Sequence, residues 1–359
     1  MPHDDHPARL GTLDRLLPLW IGVAMALGLG LGRLFPGLDD TLDKVKVDTV
    51  SLPIAVGLLL MMYPVLAKVK YTRIGHVVAD RRSLALSLVL NWVVGPAVMF
   101  TLAWLMLPDL PEYRTGLIVV GLARCIAMVL IWNDLACGNR ELAAVLVALN
   151  SIFQILAFSL LGWFYLDVLP GWLGLDTGGI DITIWEIAKS VLVFLGIPLL
   201  AGFLTRTFGE RIKGTEWYEE TFLPRIGPVA LYGLLFTIVV LFALQGEQIT
   251  DNPWDVARVA IPLLIYFGLM WGGSFLVGFR LHLPYARNAS VAFTAAGNNF
   301  ELAIAVSIAV FGVTSEQALA GTIGPLIEVP ALVGLVYVSL WAKRRFYDGR
   351  PGVGDAVSG

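Results

Sequence analysis

The sequence predicts an all-α integral membrane protein with ten transmembrane helices in two inverted five-helix repeats. Three observations lead to this fold class. The 359-residue chain is 57% hydrophobic and 15% charged, with a mean hydropathy of +0.76. The chain contains ten apolar stretches, each long enough for a helix to cross a bilayer, which takes about 20 residues. Short motifs also recur at a nearly constant offset between the two halves of the chain.

Composition and charge exclude several classes of protein. Soluble domains carry about 25% charged residues, and disordered chains have low hydrophobicity, so neither class fits. A net charge of −3 provides no basic surface for nucleic acid. The two cysteines, Cys125 and Cys137, are too few for a disulfide framework or a zinc or iron–sulfur cage. We therefore predict no cofactor, no resident metal and no nucleic-acid partner, and a lipid bilayer as the surrounding medium.

The ten apolar stretches define the predicted transmembrane spans. Their approximate limits are 14–35, 49–67, 83–107, 114–134, 141–167, 183–205, 223–245, 257–279, 286–312 and 317–342. Tryptophans often lie near the ends of these spans, as in the aromatic belts of membrane proteins. The aromatic residues at these ends include Trp20, Trp104, Trp163, Trp185 and Trp341.

The distribution of basic residues predicts the orientation of the chain. An even number of spans leaves both termini on one side of the membrane. If that side is the cytoplasm, 18 of the 25 Lys and Arg residues lie in cytoplasmic segments, 5 lie outside, and Arg124 and Lys189 lie within spans. The positive-inside rule therefore predicts cytoplasmic termini. The predicted segments are an N-terminal tail at 1–13, repeats at 14–167 and 183–342, a linker at 168–182 and a C-terminal tail at 343–359.

An internal repeat is indicated by motifs that match between the two halves. The matched pairs are Pro53 with Pro228, Gly57 with Gly233, Gly121 with Gly297, and Cys125 with Glu301. The offset is 175 at the prolines and 176 at the other pairs. Because each unit contains five spans, an odd number, the two copies must be inverted in the membrane. Inverted repeats are typical of alternating-access transporters that bind substrate near the midplane.

The polar residues inside the spans are concentrated at matching places in spans four and nine. Arg124 is a fixed cation in span four, and we expect it to neutralise Glu301 or Glu328. The sequence Gly297-Asn298-Asn299 in span nine is a poor continuous helix, since Gly and Asn favour breaks. Free backbone groups at such a break could bind a polar solute. Glu301 is then a candidate proton carrier or solute ligand.

Further polar residues follow in spans five and ten. Glu328 lies between two prolines that loosen its helix, and the sequence leaves a functional role and a packing role equally open. Asn150 and Gln154 in span five are more typical of hydrogen bonds between helices, although Asn150 is kept as a candidate transport residue.

Cys125 is the most specific candidate ligand. A cysteine in an apolar helix is ordinarily a small buried hydrophobe. Here it adjoins Arg124, and a nearby cation favours the thiolate. A thiolate selects soft elements, and a single thiol binds weakly enough to release its cargo. Cys137 is interpreted as incidental or as a weak contact for incoming solute.

The sequence resembles the arsenical-resistance (arsenite efflux) permeases of the bile acid:sodium symporter superfamily. The resemblance covers Leu16 to Arg345 and rests on three motifs: Gly121-Leu-Ala-Arg-Cys-Ile-Ala-Met-Val-Leu-Ile-Trp-Asn133, Gly297-Asn-Asn-Phe-Glu-Leu-Ala-Ile-Ala305 and Pro325-Leu-Ile-Glu-Val-Pro330. It implies that helices four and nine are broken where they cross, with a four-helix panel and a six-helix core.

The same resemblance implies a required cysteine at Cys125, a required acid at Glu301, and efflux of trivalent arsenic, sometimes antimony, by proton antiport across the plasma membrane. The expected substrate is arsenous acid, a neutral hydroxide near pH 7. We expect Cys125 to contact arsenic, Asn298 and Asn299 to hold its hydroxyls, and Glu301 to exchange protons. Arg124 would do the work of the sodium ion that sodium-coupled relatives bind near this crossing.

Three alternatives stay open at this point. A sodium-coupled organic-anion symporter could have the same fold, with Arg124 binding a carboxylate of the substrate. An intramembrane enzyme is disfavoured because no nucleophile-and-base spacing and no core histidine is present. A passive channel is disfavoured because broken inverted repeats indicate alternating access.

Overall fold

The computed structural model describes residues 17–35, 37, 46–47, 50–69, 81–175, 183–251 and 253–347. Thirteen helices and one short hairpin occur in these residues. The helices are α1 Leu17–Leu34, α2 Leu52–Ala67, α3 Arg81–Met106, α4 Pro111–Leu122, α5 Val129–Leu135, α6 Arg140–Leu173, α7 Ile184–Lys213, α8 Thr215–Leu244, α9 Gly246–Asp251, α10 Pro253–Arg280, α11 Tyr285–Ala296, α12 Phe300–Phe311 and α13 Glu316–Tyr347. The hairpin pairs β1 Lys46–Val47 with β2 Val50–Ser51.

Each of the ten predicted spans overlaps a helix or a pair of consecutive helices. Six helices (α3, α6, α7, α8, α10 and α13) are long and apolar enough to cross a membrane by length and composition, and α1, α2 and α12 are shorter apolar helices. Large apolar side chains are exposed on the outside of the molecule, among them Trp185, Leu156 and Trp254. In a bilayer these side chains would face lipid rather than water.

Several predicted boundaries differ from the helix ends. The predicted linker begins at 168, but α6 continues to Leu173, where Gly174 ends it with a left-handed backbone, φ 66°. Span two was predicted from 49, but Val50 and Ser51 belong to the hairpin and Pro53 lies in the first turn of α2. The first five residues of the predicted C-terminal tail continue α13. The tail at 1–13, linker residues 176–182 and residues 348–359 lie outside the described residues.

The helices form two groups, which are distinguished by the neighbours against which they pack. Helix α8 packs against α1 and α2, and α2 also packs against α7. Gly57 and Gly233, the glycines paired in the predicted repeat, lie at the crossing of α2 and α8. A Cβ on Gly233 would lie 3.0 Å from the Gly57 carbonyl oxygen, so a side chain there would separate the helices. The second group contains α10, which packs against α11 and α13, and α4, which packs against α13.

An ion pair ties the connection between α3 and α4 to the start of α10. Arg258 Nη1 donates to Asp109 Oδ2 at 2.8 Å, and Nη2 contacts the other carboxylate oxygen. Hydrogen bonding to Arg258 lowers the pKa of Asp109 to about 2. In the unfolded chain an Asp pKa is about 3.9, so this carboxylate favours folding above pH 4 and loses its contribution as the pH falls towards 2.

We expect Asp109→Asn to lower the thermal unfolding midpoint in detergent at pH 7. The difference from wild type should shrink to nothing between pH 4 and pH 2. Asp251→Asn, at an exposed carboxylate on α9, is the matched control. A difference that stays constant over this pH range would mean that the ion pair does not stabilise the fold.

Candidate substrate pathway

Two helix interruptions lie against each other in the middle of the molecule. The first separates α4, which ends at Leu122, from α5, which begins at Val129. The second separates α11, which ends at Ala296, from α12, which begins at Phe300. The two segments pair as an antiparallel bridge between Arg124 and Asn298. Cys125 N–H donates to the Gly297 carbonyl at 3.2 Å, and Asn299 N–H donates to the Ala123 carbonyl at 3.1 Å.

The two asparagines of the second interruption bind mainly to backbone. Asn299 Oδ1 accepts from Leu302 N–H at 3.1 Å and so caps the start of α12. Asn298 Nδ2 donates to the Val120 carbonyl at 2.7 Å and to the Ala123 carbonyl at 3.2 Å, at the open end of α4. Asn298 Oδ1 and Asn299 Nδ2 are buried and have no hydrogen-bond partner among the described residues.

A side-chain oxygen accepts a backbone N–H from each interruption. Arg124 N–H donates to Gln154 Oε1 at 3.1 Å, and Asn298 N–H donates to Glu328 Oε1 at 3.2 Å. Gln154 lies on α6 and Glu328 on α13, the helices that follow the respective interruptions. The two contacts are equivalent, as expected for two copies of one structural unit. They differ in the acceptor, which is an amide oxygen in Gln154 and a carboxyl oxygen in Glu328.

This pairing corrects the predicted register of the repeat. The sequence matched Gly121 with Gly297 and Cys125 with Glu301, an offset of 176. The backbone bridge instead relates Arg124 to Asn298, an offset of 174. Gln154 and Glu328, which accept from these two residues, are separated by the same offset of 174. The contacts at the crossing therefore relate Cys125 to Asn299 rather than to Glu301.

Cys125 lies inside the crossing and does not face lipid. Its side chain is 2% exposed, and its Sγ accepts from Val129 N–H at 3.4 Å at the start of α5. A Cβ on Gly297 would lie 2.9 Å from Cys125 Cβ, 3.5 Å from Cys125 Sγ and 3.5 Å from Glu328 Oε1. The backbone of Gly297 is therefore packed closely against both a thiol and a carboxyl group.

The expected pairing of Arg124 with Glu301 or Glu328 is wrong. Among the described residues, no carboxylate forms an ion pair with Arg124, and its guanidinium Nη1 instead donates to Tyr266 Oη at 2.8 Å. The cause is the extended backbone of the interruption, in which successive side chains point to opposite sides. Cys125 points towards Gly297 and Glu328, whereas Arg124 points towards α3 and α10.

Glu301 opens onto a cavity instead of pairing with Arg124. It lies in the first turn of α12, is half-buried, and lines a cavity of about 240 Å³. Helices α2 and α8 form one wall of the cavity. The segment after Cys125, including Ala127 and Met128, contributes to the other wall. The lining also includes Lys68, which is exposed, so the cavity reaches the molecular surface.

Asn150 is buried on α6 one turn before Gln154, and its carbonyl accepts from Gln154 Nε2 at 3.3 Å. Its Nδ2 has no partner among the described residues. Gln154 was predicted only to form a contact between helices, and no sequence motif marks Lys68, Gly95 or Tyr266. The neighbours of these residues come from distant parts of the chain and meet only when it folds.

Comparisons with known proteins show the family to which the chain belongs. The model of the Sodium Bile acid symporter family matches residues 55–252. The arsenical-resistance protein Acr3 of Corynebacterium glutamicum is 61% identical over 345 residues, which cover 96% of this chain and 93% of that protein. The arsenical-resistance protein Acr3 of Alkaliphilus metalliredigens is 31% identical over 344 residues, which cover 92% and 93%. An uncharacterized transporter of Synechocystis is 35% identical over 348 residues, which cover 92% and 88%.

The family model matches more than half of the chain, and the relatives match it over nearly its whole length. These matches and the several long apolar helices together show that the protein is a multi-pass membrane protein. The chain belongs to the sodium bile acid symporter family.

Proposed function

We propose that this protein exports trivalent arsenic, in the form of arsenous acid, from the cytoplasm in exchange for protons. Two relatives that match over nearly their whole length are named arsenical-resistance proteins. The observation that carries the proposal is the buried Cys125 thiol at the crossing of two helix interruptions, beside Glu328. Antimonite, which is also a trivalent hydroxide, would fit the same site.

The chemistry of the crossing suits a small neutral hydroxide. Arsenous acid carries no charge near pH 7, so its transfer into a dry site avoids the large cost of burying an ion. Arsenic(III) is a soft element and prefers sulfur, which Cys125 supplies. Asn298 Oδ1 and Asn299 Nδ2, which lack partners among the described residues, can bond the hydroxyl groups. A single thiol with weak polar contacts permits release on the other side.

Proton exchange is assigned to Glu301. Its carboxyl group lines the cavity that reaches the surface beside Lys68, and Lys68 belongs to a segment predicted to be cytoplasmic. The described conformation would thus be open to the cytoplasm. In the proposed cycle, the four-helix panel and the six-helix core that the resemblance implies rock against each other, and Glu301 becomes accessible to the outside, where it takes up a proton. The protein would lie in the plasma membrane with both termini in the cytoplasm.

Arg124 is proposed to act as a built-in cation at the crossing. Sodium-coupled relatives would bring a sodium ion near this position, and a fixed guanidinium makes that ion unnecessary. In proteoliposomes, we expect a pH gradient to drive arsenite accumulation at the same rate in sodium and in choline buffers. A rate that rises with sodium at constant pH gradient would contradict this role for Arg124. Uphill accumulation itself would exclude a passive channel.

A sodium-coupled organic-anion symporter is the second candidate. The unpartnered Nε and Nη2 of Arg124 favour it, because a guanidinium can bind a carboxylate through two parallel hydrogen bonds. Cys125→Ser separates the two functions. Organic-anion uptake should survive this substitution, whereas arsenite export should be lost.

A further inference from the structure

The Arg124 guanidinium is buried in an unusual way. The residue is 0% exposed, and the one side-chain hydrogen bond that it forms in the described part of the chain goes from Nη1 to Tyr266 Oη. Its Nε and Nη2 have no partner among the described residues. A buried charge without a counter-charge is costly, and removing its last partner costs more. The Tyr266 hydroxyl therefore has a large influence on where this guanidinium rests.

The turn of α3 beside the guanidinium is wider than an α-helical turn. Gly95 N–H donates to the carbonyl of Leu90, five residues earlier, so the helix is widened by one residue over Leu90–Val94. The described residues contain four more turns of this kind, in α6, α7, α8 and α13, so what matters here is that this one lies beside a buried guanidinium. Gly95 lies next to Arg124: a Cβ on Gly95 would lie 2.5 Å from Nη1 and 3.2 Å from Cζ. The widened turn and its glycine thus make the space that the guanidinium occupies.

We infer that Tyr266 and Gly95 are positioning residues that hold the Arg124 guanidinium in place for transport. Tyr266, on α10, supplies the one acceptor, and Gly95, on α3, supplies the room. The two contacts come from different helices and converge on the same nitrogen, Nη1. This inference rests on the proposed function of Arg124 as a built-in cation, because a cation that replaces a bound ion must stay at a fixed place.

Gly95→Ala tests the space around the guanidinium. The new methyl group meets the far end of the Arg124 side chain at 2.5 Å and the Leu90 carbonyl oxygen at 3.2 Å, so the guanidinium must move and the backbone of the wide turn must shift slightly. We expect the maximal rate of arsenite efflux to fall at least about tenfold, equal to about 1.4 kcal/mol in the barrier, with an unchanged KM. Gly273→Ala on α10 is the matched control, because its Cβ would meet nothing within 4 Å.

Tyr266→Phe removes the acceptor and leaves the ring. We expect the same fall in maximal rate, with Tyr337→Phe at an exposed site on α13 as the control. A double-mutant cycle then separates a positioning role from a general packing role. In an Arg124→Lys background, Tyr266→Phe should cause little further loss of rate. The thermal unfolding midpoint gives a second readout. Tyr266→Phe should lower this midpoint when Arg124 is intact and should leave it unchanged in an Arg124→Gln background.

Two outcomes would overturn the inference. In the first, Gly95→Ala and Tyr266→Phe export arsenite at the wild-type rate. In the second, Tyr266→Phe causes the same loss whether or not Arg124 is intact, so that it acts through another group. Both outcomes differ from failure of the proposed function of Arg124, which would appear as an arsenite export rate of the wild-type protein that rises with sodium at a constant pH gradient.

Discussion

Replacement of Cys125 by alanine is expected to reduce arsenite accumulation in everted vesicles at least about tenfold, which corresponds to about 1.4 kcal/mol. The substitution removes the sulfur that packs beside Gly297 and leaves the backbone bonds of the crossing in place. Cys125→Ser should show a similar loss, because a hydroxyl keeps the size and polarity of the side chain but is a hard ligand. Initial uptake of arsenite under a fixed pH gradient measures the effect.

Cys137→Ala is the matched control for this prediction. Cys137 is the other cysteine of the chain and follows the end of α5 instead of lying in the interruption. We expect its loss to leave the rate of arsenite uptake unchanged. Wild-type uptake by Cys125→Ala, at equal expression and equal thermal stability, would mean that arsenic passes without contact to sulfur.

Replacement of Glu301 by glutamine is expected to abolish pH-driven arsenite accumulation. Glutamine keeps the shape and the polarity of the side chain but carries no exchangeable charge, so the proposed coupling to protons is lost. Accumulation should fall at least about tenfold, and the residual flux should no longer depend on the pH gradient. The measurement is arsenite uptake into everted vesicles with and without an imposed pH gradient.

Glu216→Gln, at an exposed position in the first turn of α8, is the control for Glu301→Gln. It removes a carboxylate of the same kind from a site outside the cavity, and accumulation should stay at the wild-type level. If Glu301→Gln still concentrates arsenite when the pH gradient is imposed, the proton carrier must be another group, and Glu328 would be the next residue to test.

Much of the helical framework could be predicted from apolar length alone. Every predicted span overlaps helical structure, and the interruption at Gly297-Asn298-Asn299 was predicted from residue types that terminate helices. The counterpart in span four was placed by the repeat and by the family resemblance, because Ala123 to Met128 contains no glycine or proline. That the spans cross the membrane as two inverted repeats stays a prediction.

The contacts at the site could not be predicted, because they depend on where side chains point. Sequence spacing suggested that Arg124 and Glu301 meet, yet the extended backbone sends Arg124 towards Tyr266. The same uncertainty affected the repeat register, since the offset of 176 between motifs differs from the offset of 174 that the bridge between Arg124 and Asn298 shows. Gln154 and Glu328 hold the two interruptions in equivalent ways, but nothing in their sequence surroundings links them.

Contact between Cys125 and arsenic is tested most directly by X-ray absorption spectroscopy at the arsenic edge, on arsenite-loaded protein that carries Cys137→Ala. This variant leaves Cys125 as the sole thiol of the chain. We expect a single sulfur neighbour around arsenic beside oxygen neighbours, and loss of the sulfur neighbour when Cys125 is also replaced by alanine. A spectrum with oxygen neighbours alone, at arsenite concentrations that saturate transport, would contradict it.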